Sequence, residues 1–125
     1  MEKYVRSYKK LEVYIVAKEL VLRVYALLQT FPKEEQYALC DQLRRAVISI
    51  PSNVAEGLGR VSAKEQLRFI EIAYGSLLEV ETQVDIACDL HYTTPESVSE
   101  IMELIDREAR LLSGLRFRRL HPNNL

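Results

Sequence analysis

The sequence predicts an all-α fold, an antiparallel up-down-up-down four-helix bundle formed by one domain over residues 1–125. Three observations predict it. Apolar residues recur at three- and four-residue steps along four stretches. Helix start and stop signals separate those stretches by short intervals, which makes successive helices antiparallel neighbours. No alternating apolar–polar run is long enough for a strand, and only 4 Gly and 4 Pro interrupt the chain, so little of it is left for turns.

The first helix is expected over about 8–29, with Ser7 as its cap. Leu11, Tyr14, Ile15, Val21, Leu22, Tyr25 and Leu28 form its expected core face, with Lys18, Glu19 and Arg23 largely elsewhere. Phe31-Pro32 breaks this helix and starts a second over about 33–57. Proline suits a first helical turn because its missing N–H has no intrahelical partner there. Glu34 and Glu35 oppose the positive end of the helix dipole. Tyr37, Cys40, Leu43, Val47, Ile50 and Val54 form one stripe, and Gly57 and Gly59, able to take positive φ, end the helix.

Ser62-Ala63-Lys64-Glu65 is a capping box for a third helix over about 63–90. Leu67, Ile70, Ala73, Tyr74, Leu77, Val80, Val84, Ala87 and Cys88 line its inner face. His91–Thr94 form a turn. Thr93 or Thr94 caps a fourth helix over about 95–113, Pro95 supplies its first turn, Glu96 favours its dipole and Gly114 ends it. Val98, Ile101, Met102, Ile105, Ala109 and Leu112 form its apolar stripe.

The formal net charge is −1, so a chain-wide cationic field for nucleic acid is absent. The charges are uneven, however. Lys3, Arg6, Lys9 and Lys10 mark the N-terminal arm and Arg110, Arg116, Arg118 and Arg119 the C-terminal segment, with acids dominating between Glu71 and Glu108. Lys9, Lys10, Arg116, Arg118 and Arg119 are the candidate nucleic-acid contacts. Phe117, interleaved with these arginines, is expected to anchor the C-terminal tail by packing.

Cys40 and Cys88 fall in apolar helical patterns and are expected to be reduced thiols. No CxxC or Cys/His cluster suggests a metal, and no cofactor motif is present. The N-terminus lacks an apolar signal core, and no apolar run reaches the ~20 residues needed to span a bilayer. A cytoplasmic protein without a membrane partner is expected. His91 and His121 stand apart from any nucleophile at a recognisable spacing. Glu71, Glu79 and Glu81 lack the Glu-x-x-His pairs that carboxylate-bridged metal bundles require. The expectation is no catalytic, metal-binding or cofactor-binding residue, and no enzyme.

The segment Phe31–Arg60 carries more fixed polar chemistry than an amphipathic helix needs. With the second and third helices as a hairpin turning near Arg60, Arg44 and Arg45 fall opposite Gly75, Ser76 and Glu79. Ser49 falls near Glu71, and Glu56 near Lys64. A bidentate link from Arg44 or Arg45 to Glu79 is expected. Pro51 lies inside the helix and predicts a kink, with Ser49, Ser52 or Asn53 satisfying the groups it frees. Gly75-Ser76 is expected to allow close helix approach and to make room for a guanidinium. Arg44, Arg45, Ser49, Pro51, Asn53, Glu56, Gly75, Ser76 and Glu79 are read as a structural polar seam that fixes helix register. An oligomer contact and a ligand or nucleic-acid site are the alternatives for the same cluster.

At these residues the chain resembles the small bacterial four-helix-bundle proteins encoded in intervening sequences of 23S rRNA genes. One hallmark appears as Phe31-Pro32, Glu35, Gln42-Leu43-Arg44-Arg45-Ala46, Ser49-Ile50-Pro51-Ser52-Asn53-Val54-Ala55-Glu56-Gly57 and Arg60. A second appears as Arg68-Phe69-Ile70-Glu71-Ile72-Ala73-Tyr74-Gly75-Ser76-Leu77-Leu78-Glu79. Tyr14 stands where relatives often carry Trp, and Ala38 where many have Gly. The resemblance covers about Ser7 to Leu115. It implies a homo-oligomer, typically a pentamer with a central channel. One branch, the accessory variability protein of diversity-generating retroelements, is a basic pentamer that binds a reverse transcriptase and nucleic acid. This chain departs from that branch in being nearly neutral. The implied function is a non-enzymatic homo-oligomeric scaffold or adaptor for a protein or RNA partner. The alternatives are an RNA-binding protein acting through the basic termini of the oligomer and, last, an enzyme.

Overall fold

The computed structural model describes residues 6–123; Lys3 of the basic arm lies outside them. All regular structure among the described residues is helical. The four long helices are α1 (Glu12–Leu28), α2 (Leu39–Leu58), α3 (Ala63–Asp89) and α4 (Ser99–Leu120), with 3₁₀ turns at Ser7–Lys10 and Lys33–Glu35. Each helix packs on the next, and α4 closes against α1, the four-helix bundle expected. The α2–α3 pair is the most extensive and the α1–α4 pair the least.

The core runs along the bundle axis through Leu20, Leu43, Ile50, Ile70, Leu77 and Leu112, all fully buried. Burial of such a side chain contributes about 1.5–3 kcal/mol each. The inner faces of α2, α3 and α4 follow the expected stripes, except that Tyr37 precedes α2 and is 85% exposed. α1 does not. Its buried residues are Val13, Val16, Ala17, Leu20, Val24 and Leu28, whereas Leu11, Ile15, Leu22 and Tyr25 face outward. The helix has two apolar stripes, and the smaller side chains turn inward where α2 and α4 both approach.

Several boundaries differ from expectation, each for a local reason. Leu11, not Ser7, precedes α1, and it offers no side-chain cap; Ser7 belongs to the 3₁₀ turn. α2 begins at Leu39 because Ala38 breaks the helical path at φ −117, ψ −101, and the Glu35 carboxylate accepts the Leu39 N–H at 3.3 Å. α2 then continues through buried Pro51 and through Gly57; both end glycines of that segment have negative φ. Ser62 caps α3, its Oγ accepting the Glu65 N–H at 3.1 Å. α3 ends with His91 at φ 64, where the Tyr92 N–H reaches the Ala87 carbonyl and the His91 N–H the Cys88 carbonyl. These two bonds form a Schellman motif with a histidine in the left-handed position usually held by glycine. Thr94 Oγ1 accepts the Ser97 N–H at 3.2 Å, capping a turn over 95–98 that delays α4 to Ser99. α4 passes through Gly114 to Leu120, since buried Leu115 extends its apolar stripe.

The α2–α3 register also differs. Ser76 Oγ donates to Ser49 Oγ at 2.8 Å and Gln83 Nε2 to Gln42 Oε1 at 3.2 Å. The partner of each α2 residue therefore lies about five positions further along α3 than expected, some 7 Å at the α-helical rise. The hairpin turns beyond Arg60 because α2 persists to Leu58 and Ser62 is still extended.

Candidate functional site

The α2–α3 face holds the polar cluster. Asn53 Nδ2 donates to the Ser49 carbonyl at 2.8 Å and to Ser49 Oγ at 2.9 Å, so Ser49 joins Asn53 and Ser76 across the two helices. Two turns along, Gln83 Nε2 donates to both Gln42 Oε1 and Glu79 Oε2. The expected link from Arg44 or Arg45 to Glu79 is not formed. Both arginines pair instead with Asp41 of their own helix, at 3.5 and 3.4 Å, and Arg44 Nη1 also reaches the Gln36 carbonyl. Glu79 is engaged by Gln83 of its own helix instead. Glu56 pairs with Arg60 at 3.8 Å, not with Lys64.

Gly75 makes no close approach, for a Cβ placed there would meet nothing within 4 Å. The close approach belongs to Gly57, where a Cβ would lie 2.8 Å from the Phe69 Cβ. Ser49, Asn53 and Ser76 are thus brought together, whereas Arg44, Arg45 and Gly75 lie outside that group.

A second arrangement gathers at the bundle end that holds the start of α1, the α2–α3 turn and the end of α4. Arg116 lies over the Tyr74 ring at 4.6 Å and pairs with Glu71 at 3.7 Å. Arg60 and Arg68 both lie over Phe69, at 4.8 and 5.9 Å. Arg119 Nε donates to Gln66 Oε1 at 3.0 Å; burial, and then the Arg118 charge, push its guanidinium below its ordinary value. Lys9, Lys10 and Arg118 are exposed at the same end. Phe117 is not a buried anchor. It is 51% exposed and stacks on His121 at 4.2 Å. Guanidinium planes and aromatic faces side by side can grip phosphates and stack on bases.

A third arrangement is apolar. Leu22 is 70% exposed, and with Tyr14 and Val21 of α1 and Ile48, Pro51 and Ala55 of α2 it lines an open groove between the two helices. Leu11, Ile15 and Tyr25 continue the exposed stripe along α1.

The thiols of Cys40 and Cys88 are free and burial pushes both upward, which leaves them protonated and unreactive near neutral pH. No group of three His, Cys, Asp or Glu among the described residues is placed to hold a metal ion. No helix of the described residues is long and apolar enough to cross a membrane.

The model of the 23S rRNA-intervening sequence protein family matches residues 9–114, which takes in all of α1, α2 and α3 and most of α4. The chain belongs to that family. Among solved structures it is similar to a protein of unknown function from the S23 ribosomal protein family of Bacteroides thetaiotaomicron. The TM-score is 0.77 at 20% identity, over 83% of this chain and 97% of that one. At that identity the likeness establishes the shared fold. No curated protein matches the sequence.

Some of these residues escape a reading of the sequence. Arg60, Arg68, Phe69 and Tyr74 join the basic end only through the hairpin geometry. Glu108, fully buried on α4, is the residue most readily missed. Its signal was present: it continues the spacing Ile101, Ile105, Glu108, Leu112, Leu115 at a position that calls for an apolar side chain.

Proposed function

We propose that the chain is a non-enzymatic scaffold that works as a homo-oligomer, with subunits meeting through the outward stripe of α1 and its groove with α2. The observation that carries this reading is the pair of apolar stripes on α1, one spent on the core and one exposed. A contiguous exposed apolar surface of this kind marks an interaction site. A second copy of the chain is the occupant because the resemblance implies a homo-oligomer, typically a pentamer. A closed ring needs one such patch and a complementary face on each subunit. Size-exclusion chromatography with light scattering at low micromolar concentration tests this: a species of about five chains is expected. The double variant Leu22→Lys, Ile48→Lys should lower the mass while keeping its helical circular dichroism. A wild-type monomer at that concentration refutes the proposal.

A second reading, RNA binding, is favoured by the basic end. Lys9, Lys10, Arg118 and the aromatic-backed Arg60, Arg68 and Arg116 converge there although the chain is nearly neutral. A ring would repeat that end once per subunit and multiply weak contacts. In filter binding with structured rRNA, affinity should fall steeply with salt, and Arg68→Ala with Arg118→Ala should flatten the slope by about one to two units. Binding no tighter than roughly 10⁻⁴ M at physiological salt removes this reading.

A further inference from the structure

Glu108 occupies a core position of α4 with 0% of its surface exposed, and neither carboxyl oxygen has a hydrogen-bond partner among the described residues. Its own helix places Ile105 and Leu112 one turn away on the same buried face. The charge that α1 turns toward it is Glu12, which is held by an exposed ion pair with Arg107. On α3 the acid at its height, Glu79, accepts from Gln83, and Glu71 pairs with Arg116 about two turns further along α4. No group of α2 bears on it electrostatically. The charge that bears on it is thus a carboxylate, Glu12, while the neighbouring Arg107 is paired with that carboxylate at the surface.

An ionised carboxylate in such a place has neither water nor a counter-charge. We propose that Glu108 is a proton-dependent lock on the seam between α4 and α1: the bundle closes around the neutral acid, and loss of its proton loosens α4 from α1. The seam suits such a device. It is the least extensive of the helix pairs, and the ion pairs that cross it, Arg107–Glu12 and Arg23–Glu100, are exposed to solvent.

Burial, reinforced by the Glu12 charge, pushes the Glu108 carboxyl from 4.5 up to about 8. The folded protein therefore holds a proton that the unfolded chain releases, and folding weakens as pH rises. Below 4.5 both states are protonated and the effect vanishes; above about 8 both are ionised and the loss is complete. Between these values one bound proton makes the folding constant fall up to about tenfold per pH unit.

The test uses the full chain at fixed concentration, as wild type, Glu108→Gln and Glu108→Met. Urea unfolding followed by circular dichroism from pH 5 to pH 9, and hydrogen exchange of α1 and α4 against α2 and α3, are the measurements. The wild-type folding constant should fall toward tenfold per unit and level off above about pH 8, with faster exchange concentrated in α1 and α4. Both variants should lack that added slope, and the Met variant alone decides the matter if the amide of the Gln variant prevents folding. A pH slope that survives substitution, or exchange that rises equally in all four helices, overturns the proposal.

Discussion

Gly57, in the last turn of α2, and Gly75, inside α3, lie on helices that pack against each other, yet substitution by alanine should move stability in opposite directions. Alanine gains about 1 kcal/mol over glycine in a helix interior such as that at Gly75, and no more than that in the last turn at Gly57. At Gly75 nothing lies within 4 Å of the new Cβ, so Gly75→Ala should keep that gain. At Gly57 the new Cβ would stand 2.8 Å from the Phe69 Cβ and 3.3 Å from the Gln66 carbonyl oxygen, against an ordinary contact of 3.4 Å or more. Neither neighbour is the flexible end of a side chain, so α2 and α3 must part by about 0.6 Å near their turn. A gap of that size forfeits about a quarter to a half of each affected dispersion contact. Overpacking of this kind costs about 1–3 kcal/mol beyond what it adds, which outweighs the propensity gain. The expected outcome is Gly57→Ala less stable by about 1–2 kcal/mol and Gly75→Ala more stable by about 1 kcal/mol. Midpoints of urea unfolding, read by circular dichroism at one protein concentration, resolve both. A Gly57→Ala protein at least as stable as wild type would show that the α2–α3 approach does not depend on the missing side chain.

Two further substitutions follow from local geometry. His91→Gly should stabilise by about 0.5–1 kcal/mol in the same unfolding assay, because the φ of 64 at the end of α3 suits glycine better than histidine. Ser49→Ala and Ser76→Ala should each cost about 1–2 kcal/mol, and a double-mutant cycle should return a coupling of at least about 0.5 kcal/mol, since their hydroxyls are 2.8 Å apart.

The three inner stripes of α2, α3 and α4 were legible because their core residues recur at three- and four-residue steps, and Ser62 was legible because a capping box is a local signal. The register of α2 against α3 was not. It depends on where the chain turns after α2, which carries Gly57 within its last turn and ends at Leu58, and the approach of Phe69 that requires glycine there is a tertiary fact. That one displacement set Ser49 against Ser76, while Asp41 of their own helix took Arg44 and Arg45 and Gln83 took Glu79. Gly114 misled for a related reason: a glycine ends a helix only when the chain needs positive φ there, and buried Leu115 keeps the stripe going. Glu108 was legible from its spacing alone, but a single acid amid acids passes for surface charge until the phase of the helix is fixed.

The α1 helix shows why an apolar pattern can be read correctly and placed wrongly. Its residues fall into two sets at helical spacing, Val13, Val16, Ala17, Leu20 and Val24 on one side and Leu11, Ile15, Leu22 and Tyr25 on another. Side-chain size argues for the second set as the core, since larger groups gain more from leaving water. The bundle selects the first, because α1 must fit between α2 and α4 and smaller groups let both neighbours come close. The larger set is then left in solvent, where its exposure would be a solubility cost to an isolated chain. The proposed homo-oligomer would account for this choice: the core uses the side chains that pack most closely, and Leu11, Ile15, Leu22 and Tyr25 stay on the face where a second copy is proposed to dock.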